Sequence, residues 1–185
     1  LGTGFHSEKF EALKQYYPQI QTCFSKHYAT TNSLWTLCNC RQMIGDDDFL
    51  LLESDIIYEK RAISELLLDQ HSDILLAAQE TKFQDQYFVE YDANNHLTNC
   101  STTREDLNSR GEFVGVHKLS STFYKSLCAY YERIKHIQPK LGYEFGLLFV
   151  SRNIIPLYVY KIDGLKWYEI DDENDLNDVR NIYGL

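Results

Sequence analysis

The sequence predicts an α/β fold, and three observations carry that prediction. Two apolar runs of strand length, Phe49 to Leu52 and Ile74 to Ala78, alternate with segments whose apolar residues repeat at helical spacing. Both runs are unbroken, as in central parallel strands covered on two faces. The chain has 185 residues, 44% of them hydrophobic and 14% aromatic, enough for one domain over 1–185 with a real core.

The elements follow in order. Ser7 to Tyr17 places Phe10, Leu13 and Tyr17 on one helical face, and Pro18 stops that helix before a short extended piece, Ile20 to Phe24. Thr30 or Thr31 caps a second helix that turns Leu34, Leu37 and Cys38 inward and ends near Gly45. After the strand at Phe49 to Leu52, a helix from Glu59 to Leu68 buries Ala62, Ile63, Leu66 and Leu67, and the covered strand Ile74 to Ala78 follows. To this point the pattern is doubly wound, with helices on both faces of a mixed, mostly parallel sheet. The middle is more antiparallel: Tyr87 to Tyr91 and His96 to Cys100 flank the Asn94-Asn95 turn as a hairpin, and Phe113 to Leu119 is a further strand. Ser120 or Ser121 caps a helix carrying Phe123, Leu127, Tyr131 and Ile134, and a second helix covers Tyr143 to Val150. Ile155 to Ile162 is the last long strand. Asp172 caps a closing helix with Leu176, Val179 and Ile182 at helical spacing.

Charge and composition exclude several classes. A net charge of -9 weighs against a nucleic-acid or anionic-membrane surface, because clustered Lys and Arg hold those partners. No apolar run approaches a bilayer span and no basic-then-apolar leader opens the chain, so the expectation is a soluble, cytoplasmic protein. The five cysteines, at 23, 38, 40, 100 and 128, read as reduced thiols, and the six histidines show no metal-type pairing.

Two acidic segments carry the chemistry. FLLLESD (Phe49 to Asp55) and GLKWYEIDDENDL (Gly164 to Leu176) each read as a strand that delivers carboxylates at its carboxyl end, where an open α/β sheet keeps its site. Two carboxylates from separate strands suit a hard divalent cation such as Mg²⁺, which takes oxygen ligands and retains waters for a phosphate substrate. The bland alternatives are that Asp55 caps the next helix and that Asp171 to Asp178 form a solvated helix start. For Asp172 and Asp175, capping and the helix dipole suffice.

LLLESDIIYE (Leu50 to Glu59) resembles the strand and metal-binding aspartate of the phosphocholine, phosphoethanolamine and 2-aminoethylphosphonate cytidylyltransferases. GLKWYEIDDENDL resembles the tail that holds that family's second acidic motif. GFHSEKFEAL (Gly4 to Leu13) followed by KHYATTNSLWTL (Lys26 to Leu37) is similar to its helix and Asn-containing segment in order and spacing. The likeness spans most of the chain.

The resemblance implies a GT-A-like, Rossmann-type nucleotidyltransferase fold that transfers CMP from CTP to a small phosphate or phosphonate acceptor and releases pyrophosphate. It makes Asp55 and Asp171 the catalytic metal ligands, with Glu169 alternating onto the same face, and Mg²⁺ the cofactor that orients both substrates. Asn32 matches a family Asn and is a nucleotide-binding candidate, a helix-start residue using its amide locally being the other reading. Tyr143 and Glu144 match the family's acceptor segment, and Tyr87 and Trp167 are candidates for an aromatic wall beside an acceptor ammonium, with a core role as the alternative.

The departure is at the amino terminus. The family's first strand and Gly-rich loop with its basic residue have no counterpart, and Leu1-Gly2-Thr3-Gly4 aligns with the second strand and turn, so about a quarter of such a domain would lie upstream. Two other function classes fit less well: a non-catalytic binding or regulatory domain of nucleotidyltransferase ancestry, and a GT-A glycosyltransferase, against which the WYEIDD tail argues.

Overall fold

Strands and short helices alternate through the computed structural model, which describes residues 1–80, 87–108 and 110–184. In the first half they are β1 (Gly2–Thr3), α1 (Ser7–Ala12), β2 (Cys23–Phe24), α2 (Ser33–Asn39), α3 (Arg41–Ile44), β3 (Phe49–Leu52), β4 (Ile56–Tyr58), α4 (Arg61–Leu68) and β5 (Ile74–Ala78). The second half adds β6 (Phe88–Tyr91), β7 (Leu97–Ser101), β8 (Gly111–Leu119), α5 (Ser121–Ile134), α6 (Tyr143–Asn153), β9 (Tyr158–Ile162), β10 (Trp167–Glu169) and α7 (Glu173–Tyr183). The fold is mixed α/β, as the sequence predicts. Its residues group into two compact units: Leu1–Phe49 with Ser120–Ile155, and Leu50–Leu119 with Pro156–Leu185.

In the first unit, β1 and β2 pair in parallel, Gly2 opposite Cys23 and Thr3 opposite Phe24. The expected helix from Ser7 to Tyr17 is shorter: α1 stops at Ala12 and a 3₁₀ turn, Leu13–Gln15, replaces the rest. Neither piece buries a residue, and Leu13 and Tyr17 are exposed. A helix this short, with no side-chain cap and no packed face, lacks what would extend it. The cap of α2 is Asn32, whose Oδ1 accepts from the Ser33 amide at 2.7 Å; the Thr30 and Thr31 hydroxyls donate instead to the His27 carbonyl. Leu34, Leu37 and Cys38 are buried as expected.

Ser120 caps α5 through the Phe123 amide at 3.1 Å, and Phe123, Leu127 and Tyr131 face the core. Gly146 lets α6 approach closely. A Cβ there would lie 2.8 Å from Leu127 Cδ1 and 3.0 Å from Leu34 Cδ1, so the side chains of α5 and α2 occupy the space that any larger residue needs.

The second unit is built on a sheet in the order β7-β6-β8-β5-β9, with β3 also pairing β8. Every residue of β5 is buried, as its apolar run predicts. The antiparallel character expected of the middle reaches the centre of the sheet. β5 is parallel to β9, but β8 is antiparallel to both β5 and β6, because β6, β7 and β8 follow one another without a crossover helix. β3 is half-buried, with Leu52 exposed, rather than covered on two faces. The hairpin turns through Asn95 at φ 59°. α4 lays Ala62 and Leu66 against a core that includes Ile74, Leu76, Val114 and Trp167, while Leu67 is exposed. The pairing the sequence did not reveal is β4 with β10, antiparallel, Ile56 opposite Glu169 and Tyr58 opposite Trp167.

α7 begins at Asp172 with a reciprocal cap. The Asp172 carboxylate accepts from the Asn174 and Asp175 amides at 2.7 and 3.0 Å, and Asp175 accepts in return from the Asp172 amide at 3.3 Å. Val179 is buried and Leu176 half-buried; the Ile182 side chain lies outside the described ones. No helix among the described residues is long and apolar enough to cross a membrane.

Candidate metal centre

Three carboxylates of the second unit converge: an oxygen from each of Glu53, Asp55 and Glu169 lies within 4.8 Å of the others. The backbone accounts for each position. Glu53 follows the last residue of β3, and its amide donates to the Gly115 carbonyl at 2.9 Å. Asp55 precedes β4, and its carbonyl accepts from the Ile170 amide at 2.8 Å. That bond continues the β4–β10 ladder by one step, so Glu169 stands at the end of β10 next to Asp55.

Gly115 makes room for the first of the three. Between the pairs Leu75–His117 and Ala77–Phe113 the β5–β8 register shifts, leaving Val114, Gly115 and Val116 opposite Leu76 alone. This is a bulge, and Gly115 occupies it at φ +74°. A Cβ at this position would fall 2.7 Å from Glu53 Cδ and 3.1 Å from its Cγ, so the Glu53 side chain lies directly over the glycine.

The donor set fits a hard divalent cation. Three carboxylate oxygens gathered within 4.8 Å of one another are hard donors of the kind Mg²⁺ takes, and without a cation between them they repel. Glu53 and Glu169 are half-buried and Asp55 is exposed, which leaves a side open for further ligands.

Two of these three, Asp55 and Glu169, are residues that the sequence analysis offers as ligands. Asp55 and Glu169 come together; Glu53 was on the page in LLLESD, two residues before Asp55 and thus at the same alternation as Glu169 before Asp171. Asp171 is not one of the trio. Its amide donates to the Asp175 carboxylate at 3.0 Å, within the cap of α7. Behind the trio, the Tyr168 hydroxyl reaches Asp175 and Asp178 at 3.3 and 3.4 Å; burial, then the charge of these acids, pushes the phenol's pKa up.

The remaining candidates are divided between the two units. Trp167 is 6% exposed and packed in the core of the second unit, and Tyr87 is half-buried with its ring 6.2 Å from that of Phe113. Asn32, Tyr143 and Glu144 belong to the first unit. The Asn32 side chain caps α2 through Oδ1 and donates Nδ2 to the Lys140 carbonyl, 108 positions along the chain, at 3.3 Å. Tyr143 and Glu144 are buried in the first turn of α6, where the Tyr143 amide donates to Ser33 Oγ at 3.0 Å.

No protein-family model matches this chain. Among solved structures, the CTP:phosphocholine cytidylyltransferase of Streptococcus pneumoniae superposes with a TM-score of 0.73 at 17% identity, over 96% of this chain and 74% of that one. The inositol-1-phosphate CTP transferase of T. maritima gives 0.79 at 14% identity, over 98% of this chain and 72% of that one. A UDP-glucose pyrophosphorylase solved with UDP-glucose gives 0.69 at 13% identity, over 97% and 73%. The fold of this chain is therefore the Rossmann-like fold of these nucleotidyltransferases.

Proposed function

We propose that this chain belongs to a divalent-cation-dependent nucleotidyltransferase that moves CMP from CTP to a small phosphate or phosphonate acceptor and releases pyrophosphate. The observation that carries this reading is the convergence of Glu53, Asp55 and Glu169 on one point. The similarity in fold to enzymes named for transfer from CTP agrees with it, as does the likeness of LLLESD and WYEIDD to cytidylyltransferase motifs.

Glu53, Asp55 and Glu169 would hold Mg²⁺, and Asp171 stays a further candidate on the resemblance alone. When bound, the cation neutralises charge that develops on the phosphoryl oxygens as the acceptor oxygen attacks the α-phosphorus. The β4–β10 ladder and the Gly115 bulge hold the backbone of all three carboxylates before substrate arrives, so little reorganisation is left for the reaction. An acceptor phosphate is already largely ionised near neutral pH, so the chain need supply no general base. Tyr143 and Glu144 stand as acceptor residues on the resemblance alone; both are buried in the first turn of α6.

Pyrophosphate release with Mg²⁺, CTP and phosphocholine, phosphoethanolamine or 2-aminoethylphosphonate tests this reading, with Asp55→Asn as the control. Turnover with one acceptor, reduced at least about a hundredfold in the variant, supports it. Turnover unchanged by Asp55→Asn, or none with any acceptor from a folded chain, overturns it for this polypeptide.

A further inference from the structure

Four of the five cysteines lie in the first unit, and they are grouped in two neighbouring pairs: Cys38 with Cys128, and Cys23 with Cys40. All are free thiols. The first pair joins α2 to α5. The Tyr124 hydroxyl donates to the Leu37 carbonyl at 2.7 Å, locking the two helices together one residue before Cys38 and one turn before Cys128.

The two sulfurs of this pair have different surroundings. Cys38 is 1% exposed and sealed within the core. Cys128 lines a cavity of about 350 Å³ with Arg41, Gly45, Tyr124, Lys125 and Glu132. Arg41 and Lys125 bring positive charge to its rim, where they pair with Glu132 at 2.9 Å and Asp46 at 2.6 Å. Neither Cys23 nor Cys40 lines it. Their thiols donate to the Asn39 and Thr36 carbonyls, each at 3.3 Å.

We propose that Cys128 and Cys38 form a peroxide-reactive dithiol, in which Cys128 is the attacking sulfur and Cys38 the resolving one. The Cys128 thiolate attacks one oxygen of hydrogen peroxide; the O–O bond breaks, Cys128 becomes a sulfenic acid, and hydroxide leaves to be protonated to water. The Cys38 sulfur then attacks Cys128, the S–O bond breaks, an S–S bond forms and a second water carries off the hydroxyl and the Cys38 proton. The two thiols together lose two electrons to one peroxide. A dithiol reductant reverses the change by exchange.

The pair is polarised in the right sense. The interaction with Cys38 lowers the Cys128 pKa, and the same interaction together with burial raises that of Cys38, so Cys128 is the more acidic of the two. In the other pair, burial pushes Cys40 up to about 12.

The test is a peptide map of the reduced chain after one equivalent of hydrogen peroxide. The expected product has lost two hydrogens, carries a Cys38–Cys128 cross-link and is restored by dithiothreitol. In Cys38→Ser the expected product is a sulfenic acid at Cys128, trapped as its dimedone adduct; in Cys128→Ser, Cys38 stays unmodified. Cys128 should react about tenfold faster than Cys100. Equal reaction at all five thiols, oxidation only at Cys23 and Cys40, or an unmodified Cys128 in the folded wild-type chain overturns the proposal. The wild-type map decides the matter even where a variant fails to fold.

Discussion

Gly115 lies beneath the carboxylate of Glu53: the bulge in β8 that carries this glycine at φ +74° leaves the space that the side chain of Glu53 fills. The two residues also share a hydrogen bond, from the Glu53 amide to the Gly115 carbonyl at 2.9 Å. Gly115→Ala therefore strains the backbone and displaces the carboxylate at once. We expect a loss of about 1–3 kcal/mol of stability, read by urea unfolding, and at least about tenfold weaker Mg²⁺ binding, read by titration. Binding unchanged in a folded Gly115→Ala chain would disconnect the bulge from the carboxylates.

Without a cation, Glu53, Asp55 and Glu169 repel one another, by about 1 kcal/mol for a pair 4 Å apart in a water-like medium. Glu169→Gln should leave the chain equally or slightly more stable in EDTA while removing its response to Mg²⁺. For the wild type, Mg²⁺ at a hundred times its Kd should add about 2.7 kcal/mol. Thermal melts with and without Mg²⁺ check both statements.

His117 is fully buried on β8, and burial holds its pKa down at about 3, against 6.5 for an unperturbed imidazole. The neutral ring is the folded form, so its share of stability is complete above pH 6.5 and is lost as pH falls from 6.5 toward 3, where only the unfolded chain takes up the proton. The loss approaches about 1.4 kcal/mol per pH unit. Urea unfolding at pH 7 and pH 5 should show it, and His117→Gln should flatten that difference while lowering stability at both.

Asp172 satisfies two amides at the start of α7. Asp172→Ala should cost about 1 kcal/mol, and Asp172→Asn or Asp172→Ser should recover most of it. Hydrogen exchange confined to α7 would separate this local loss from a global one.

Much of this was legible in the sequence. The buried run of β5, the hairpin at Asn94-Asn95, the Ser120 cap and the Asp172 cap follow from period and local chemistry, which neighbouring residues settle among themselves. Asp55 was a candidate because it ends an apolar, strand-like segment, and Glu169 because the resemblance places it on the same face as Asp171. Glu53 was not named, although it stands two residues before Asp55; the room its side chain uses depends on a bulge in β8, some sixty residues away, and no local pattern announces a glycine at positive φ within a strand. The β4–β10 pairing was hidden for a similar reason: three-residue strands are too short for alternation to show. The early end of α1 was misread because periodicity reports which residues share a face and says nothing of whether anything packs against it.

The β4–β10 ladder joins residues more than a hundred positions apart with only three pairs, so closing it restricts a long stretch of chain for little local reward. Contacts of that kind slow folding, because the loop must close before the contact rewards it. The trio of carboxylates cannot assemble before that closure, and each half of it alone is an ordinary acidic loop. A cation that requires all three would thus recognise closed molecules only, and its uptake during refolding would time the closure.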